Sequence, residues 1–229
     1  MENITFGYWQ IKGLGEFSRL TLAALGVTYT EENPESFEAW GAKAKELMGE
    51  GLHFPNLPYV KDGDFYLTES IAIPIYLARK AGRMDMLGGT DLQLNTRVSE
   101  INGLLGDIRM EVMKALFSPE YKGVLAKAAE ADSKLNRKLM FLSKFLGENE
   151  FLLGGTFGVI DIMVAYTLYL VSNILKSGEA ADVVANFENL VAHQARVWGQ
   201  DGIKEHIASD AWKRPLLFPT MFPWVTDQH

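Results

Sequence analysis

The sequence predicts an α+β domain of order β-α-β-α-β-β-α followed by an all-α helical bundle. Short alternating apolar runs, Ile4 to Trp9 and Phe65 to Leu67 among them, read as strands set between helical patterns. A glycine-bearing stretch from Arg83 to Asp91 then gives way to a chain whose periodicity is helical nearly throughout. At 229 residues the chain has room for two modest domains. The expected division is 1–82, a linker at 83–90, and a helical domain at 91–229.

In order, Ile4, Phe6 and Tyr8 alternate as a half-buried strand, and Gly13-Leu14-Gly15 turns the chain into a helix from Glu16 to Leu25, closed by Gly26. Val27 to Glu31 reads as a short strand, and Glu35 to Met48 as an irregular amphipathic segment carrying Trp40, Lys43 and Lys45. Asp62-Gly63 between two apolar runs marks a type I′ hairpin. Thr68-Glu69-Ser70 then opens a helix from Ile71 to Ala81. Beyond the linker, helices are expected at Leu92 to Leu116, Tyr121 to Leu146, Val159 to Leu175, Val183 to Trp198 and Ile203 to Ala208. The proline-rich stretch Lys213 to Trp224 reads as irregular.

Composition narrows the chemistry. With 22 basic and 29 acidic residues the net charge is −7, which argues against a nucleic-acid backbone as partner. The longest apolar run, Val159 to Leu175, carries Asp161 and is short for a membrane span, so it reads as a core helix. No signal-peptide pattern opens the chain, and a cytoplasmic protein is expected. There is no cysteine, so any sulfur chemistry must use a ligand's sulfur. His53, His193, His206 and His229 form no metal-binding spacing, and no metal is expected.

Several motifs carry both a plain and a chemical reading. Tyr8 at a strand end beside a helix N-terminus is a hydroxyl donor placed to hold an anion such as a thiolate. Gly13-x-Gly15 resembles a dinucleotide turn, but Ser18 stands where the third glycine belongs, and the glycines more simply shape a tight loop. Leu57-Pro58 forms either an ordinary turn or a cis bond that offers the Leu57 main chain to a peptide-like ligand. Glu69-Ser70 either caps a helix or reads the ammonium and carboxylate of an α-amino acid. Trp9, Trp40, Lys43 and Lys45 are either packing and surface residues or donors to a ligand carboxylate.

Taken together, the motifs resemble the cytosolic glutathione S-transferases, most closely the mu class. The resemblance rests on Gly7-Tyr8-Trp9-x-Ile11-x-Gly13-Leu14, Phe54-Pro55-Asn56-Leu57-Pro58-Tyr59, Ser70-Ile71-Ala72-Ile73, Arg97-Val98, Asp107 and Ser118-Pro119-Glu120. It implies a thioredoxin-like domain with a mixed four-stranded sheet, an all-helical domain, and a homodimer. It also implies a detoxifying enzyme that joins reduced glutathione, as co-substrate, to small hydrophobic electrophiles. By resemblance Tyr8 is the thiol-activating residue, and Trp9, Leu14, Trp40, Asn56, Leu57 and Ser70 match glutathione-binding positions; Lys43, Lys45, Pro58 and Glu69 are expected to join them. Asp107 then reaches the glutathione of the neighbouring subunit, and Phe54 is the dimer contact. The electrophile pocket is expected around Ile11, Leu14, Arg109, Met110, Met113, Phe117 and the tail from Leu216 to Phe222.

Departures from the mu pattern include Ala44, flanked by Lys43 and Lys45, where a lysine is expected four residues after Trp40, and a longer loop before Asn56. Glu69 replaces a glutamine, Phe37 an arginine, Phe117 a tyrosine, and Gly158 the Ser or Thr that opens the helix bearing Asp161. Asp161 can still accept from the Gly158 amide. The alternative reading is a non-catalytic glutathione-binding or structural homologue. A glutathione-dependent isomerase would share the same first pocket.

Overall fold

The computed structural model describes residues 4–227, and the expectations for the extreme N-terminus and for His229 lie outside them. The chain divides into two compact units, Met1–Arg83 with Asp201–Pro215, and Met84–Gln200 with Leu216–His229.

The first unit is a four-stranded sheet of order β2-β1-β3-β4, in the thioredoxin-like arrangement. β1 (Ile4–Gly7) pairs in parallel with β2 (Thr30–Glu32) and antiparallel with β3 (Tyr59–Asp62), which pairs antiparallel with β4 (Phe65–Thr68). Its helices are α1 (Glu16–Ala24), α2 (Phe37–Glu50) and α3 (Ala72–Lys80). Ile4 and Phe6 point from β1 into the core, as their alternation requires. β1 stops two residues earlier than expected; the Tyr8 amide still bonds the Glu32 carbonyl at 3.0 Å, after which the chain leaves the sheet.

Three local expectations are corrected. α2 is a regular helix, because Ser36 accepts the Ala39 amide at 3.0 Å and Gly51, at φ +118°, closes it. In the hairpin Asp62 pairs with Phe65, so the loop is Gly63-Asp64 with positive φ at Gly63 alone; that is the pattern of a II′ turn rather than I′. α3 begins without a side-chain cap, so Ser70 does not perform the capping role.

The helix Ile203–Ala208 and the 3-10 turn Asp210–Lys213 belong to this first unit, whereas the sequence assigned them to the helical domain. Long-range contacts hold them there: a hydrogen bond between His206 and Glu16 at 2.6 Å and an ion pair of Arg214 with Glu31 at 2.8 Å. The Lys12 amide also donates to the Pro215 carbonyl at 2.8 Å. Sequence periodicity carries no signal for such pairings.

The second unit is all-helical: α4 (Leu92–Met113), α5 (Tyr121–Ala128), α6 (Lys134–Leu146), α7 (Val159–Ser177) and α8 (Glu188–Trp198). The Asp91 carboxylate caps α4, accepting from the Gln93 and Leu94 amides at 2.8 and 3.1 Å. The single helix expected from Tyr121 to Leu146 is two, because Ser133 starts a new one by accepting the Asn136 amide at 3.1 Å. α6 then buries Leu135, Leu139, Leu142 and Leu146, one stripe at helical spacing. The region from Val183 likewise splits into a 3-10 turn, Val183–Asn186, and α8.

α7 is the core of this unit. Among the described residues it alone is long and apolar enough to cross a membrane, yet 83% of that stretch is buried inside the protein. It runs to Ser177, two residues beyond the expected end. The fully buried Asp161 accepts from the Leu152 and Gly158 amides, each at 2.9 Å, and lies 2.7 Å from His193 Nε2. A Cβ on Gly158 would sit 2.6 Å from the Met86 carbonyl oxygen, which explains glycine where the mu pattern has Ser or Thr.

Candidate active site

Tyr8 follows β1 directly, and the 3-10 turn Gly13–Gly15 folds back over it before α1 begins. Its side chain is nearly buried, and its hydroxyl oxygen accepts the Leu14 amide at 3.0 Å. Both glycines make room for the phenol. A Cβ at Gly13 would lie 2.6 Å from the Tyr8 hydroxyl, and one at Gly15 would lie 2.3 Å from its ring. Gly13 also holds φ +43°, a conformation L side chains rarely adopt. The near-match to a dinucleotide turn is therefore a cradle for an aromatic ring.

Burial pushes the Tyr8 phenol above its ordinary value, against the opposing pulls of the Leu14 amide and the Arg19 cation. The phenol thus stays protonated near neutral pH, with its oxygen engaged and its proton available to donate. Leu14, a glutathione-binding position by resemblance, turns its amide to the Tyr8 oxygen in this structure.

Trp9 is half-buried, with its ring edge-on to Phe37 at 5.0 Å between centroids. Trp40 stacks on Tyr59 at 6.0 Å, in a small cluster with Leu47, Leu52, Leu57 and Tyr66. Lys43 is engaged within the protein, 2.9 Å from Glu46 and 3.5 Å from Glu32, and the Glu46 hydrogen bond raises its basicity. It lines a cavity of about 330 Å³ with Glu32, Asn33, Pro34, Ala39 and Tyr59. Lys45 is exposed. Burial, then the Glu32 hydrogen bond, holds the Tyr59 phenol far above its usual range.

The Leu57–Pro58 bond is cis and Pro58 is buried. The Leu57 amide donates to the side-chain Oδ1 of the adjacent Asn56 at 2.9 Å. Glu69 is exposed at φ +80°, a left-handed conformation that costs a non-glycine residue about 1–3 kcal/mol. Such strain concentrates at functional positions. Ser70 beside it is buried and free of the capping role.

In the second unit, Arg109, Met110 and Met113 lie on the last turns of α4, and Phe117 ends the 3-10 turn Lys114–Phe117. Met110 and Phe117 are exposed, the latter at 78%, with Phe117 edge-on to Phe222 at 5.7 Å. Arg109 donates to Thr167 Oγ1 at 3.3 Å, and burial lowers its pKa. Leu216 is buried, and Trp224 stacks on Tyr121 at 4.1 Å, so the tail packs against the second unit's helices. Asp107 is exposed on α4, 3.8 Å from Lys138. Ile11, by contrast, is nearly buried in the first unit, with its carbonyl bonded to Arg19 at 2.8 Å. Phe54 is exposed at 75%.

Sequence reasoning missed the polar network behind Tyr8: the buried Glu16 and Arg19 with the partly buried Glu31, His206 and Arg214. The available signal was an arginine inside the apolar pattern of α1 with no partner at helical spacing other than Glu16.

The family model for the glutathione S-transferase N-terminal domain matches residues 4–79, and that for the C-terminal domain matches residues 106–210. The chain is 30% identical to the glutathione S-transferase class-mu 26 kDa isozyme 51 of Fasciola hepatica, over 92% of this chain and 91% of that protein. It is 29% identical to Glutathione S-transferase Mu 5 of Homo sapiens, over 96% and 98% of the two chains. Among solved structures, the glutathione S-transferase Blo t 8 superimposes with a TM-score of 0.81 at 28% identity, over 94% of this chain and 97% of that one.

Proposed function

Because this chain belongs to the glutathione S-transferase family, we propose that it joins the thiol of reduced glutathione to small hydrophobic electrophiles, with Tyr8 stabilising the thiolate. The observation that carries this reading is the Tyr8 hydroxyl: buried, protonated, its oxygen engaged by the Leu14 amide and its proton left to donate.

A free thiol has a pKa of about 8.5, so only a few per cent is thiolate near neutral pH. Lowering it by about two units requires roughly 2.7 kcal/mol of preferential thiolate stabilisation. A hydrogen bond to a charged acceptor contributes about 1.5–3 kcal/mol, so Tyr8 supplies most of this. The Leu14 amide reinforces it by polarising the phenol, since hydrogen bonds in a chain strengthen one another.

Glu69 then takes the glutamyl ammonium and Ser70, whose side chain does not cap α3, its carboxylate. The Leu57 main chain takes the cysteinyl unit once Asn56 releases the amide. With Lys43 engaged by two carboxylates and Phe37 in place of arginine, Trp40 and the exposed Lys45 are left to meet the glycyl end. The thiolate attacks the electrophilic carbon, the new carbon–sulfur bond forms, and the leaving group departs with its electron pair. Within the second unit, Met110 and Phe117 are exposed and Met113 half-buried, apolar side chains of the kind a small hydrophobic electrophile needs. Phe117 carries no hydroxyl with which to assist the electrophile.

Retention on immobilised glutathione together with turnover of chlorodinitrobenzene is the expected result. Retention without turnover favours the non-catalytic reading, which the engagement of Lys43 and the Phe37 and Phe117 replacements support. We further propose a homodimer, because Phe54 and Asp107 are exposed and the family resemblance gives both a task on the partner. Sedimentation is expected at twice the chain mass of 25.6 kDa, and a monomer at working concentration removes both assignments.

A further inference from the structure

Behind Tyr8, the first unit holds a chain of alternating charges that conjugation as described does not use. Arg214 Nη2 lies 2.8 Å from Glu31 Oε2, Glu31 Oε1 lies 2.7 Å from Arg19 Nη2, and Arg19 Nη1 lies 3.0 Å from Glu16 Oε2. His206 Nε2 completes it, 2.6 Å from Glu16 Oε1. The Arg19 and Glu16 side chains are wholly buried.

The chain grips the backbone on which Tyr8 sits. Arg19 donates to the carbonyls of Trp9 at 3.0 Å and Ile11 at 2.8 Å, while Asn33 donates to the Tyr8 carbonyl at 2.8 Å and to Glu31 at 3.0 Å. The guanidinium carbon of Arg19 also lies 5.6 Å from the Tyr8 ring centroid. At the far end, the segment Asp201–Pro215 is fastened to the same turn by the Lys12 amide on the Pro215 carbonyl and by Lys12 Nζ, 4.5 Å from the Trp212 ring.

Stability alone is a weak reason for such an arrangement. Buried ion pairs replaced by apolar residues of similar volume often leave a protein as stable or more so. A rigid guanidinium fork, however, fixes two carbonyls and two carboxylates at once, which no apolar side chain and no lysine can do. Preorganised sites depend on such support, and about 1 Å of misplacement costs on the order of 100-fold in rate.

We infer that Arg19 is a positioning residue for Tyr8, and that His206 and Arg214 of the segment Asp201–Pro215 brace it through Glu16 and Glu31. The hydroxyl's place on the Leu14 amide, and the positive charge under its ring, are thereby set by side chains from the far end of the chain. This rests on the reading of Tyr8 as the thiolate's donor.

The test is the ultraviolet titration of glutathione's thiolate bound to the full-length protein. Arg19→Lys is expected to raise the bound thiol's apparent pKa by about one unit, a ten-fold loss of thiolate below that pKa, with glutathione affinity changed far less. His206→Ala is expected to shift it in the same direction by less, and His206→Gln, which keeps a donor to Glu16, to restore it. Should Arg19→Lys fail to fold, the two His206 variants decide alone. A shifted wild-type thiol that stays unchanged in the folded variants overturns this inference by itself. A wild-type thiol that is unshifted before any substitution removes the Tyr8 reading, and this inference with it.

Discussion

Tyr8→Phe is expected to lower the second-order rate of glutathione conjugation by ten-fold or more while leaving glutathione retention nearly intact. The substitution keeps the ring that fills the space above Gly13 and Gly15, so the turn has no reason to collapse. It removes one hydrogen bond to a developing anion, about 1.5–3 kcal/mol, which corresponds to roughly 10- to 150-fold in rate. The Leu14 amide also loses its acceptor. It can turn part of its donor strength to the thiolate directly, which keeps the loss toward the lower end of that range. Steady-state kinetics at saturating and limiting glutathione separate the two effects: kcat falls and the affinity for glutathione does not. Full activity in the variant would remove Tyr8 from the mechanism.

The largest loss of stability is expected from Asp161→Ala. Its carboxylate satisfies two buried backbone amides and a buried imidazole, joining the loop around Leu152, the start of α7 and α8. Gly158 contributes no side chain that could take over. Breaking a buried, hydrogen-bonded charge network by removing one partner costs about 3–5 kcal/mol. That is a large share of the roughly 5–15 kcal/mol that holds a domain folded. The denaturant midpoint followed by circular dichroism is expected to fall steeply, or the variant to accumulate insoluble. Asp161→Asn, which keeps an acceptor but not the charge, is expected to fall less. A change below about 1 kcal/mol in the alanine variant would contradict the role assigned to Asp161.

What was legible in the sequence follows from the range of the interactions involved. The strand at Ile4, the glycine turn and the helix from Glu16 are local, and alternation plus glycine placement located them within two residues. The Gly158 amide on Asp161 was also readable, being a contact three residues apart at a helix start. Breaks inside long helical patterns were not. Leu125 and Leu139 share a heptad-like register, yet Ser133 captures the Asn136 amide and restarts the helix between them. Ser70 shows the opposite failure: a good capping residue by type, left uncapping because Glu69 takes a left-handed conformation just before α3.

The site was half legible for the same reason. Tyr8 could be placed because a strand end and a helix start fix it locally. The fate of Lys43 could not, because Glu32 and Glu46 compete with any ligand for its charge, and Glu32 comes from a different element. Arg19's partner Glu31 stands 12 residues away, and His206, the partner of Glu16, stands 190 residues from it. Hydrophobic periodicity is blind to pairings of that span.

The account depends on the acidity of a thiol held against the Tyr8 hydroxyl, and the titration of glutathione bound to the unmodified protein reads it directly. Thiolate absorbance is expected to rise with an apparent midpoint about two units below the free thiol's value of about 8.5. A midpoint at the free value, with glutathione demonstrably bound, would contradict it.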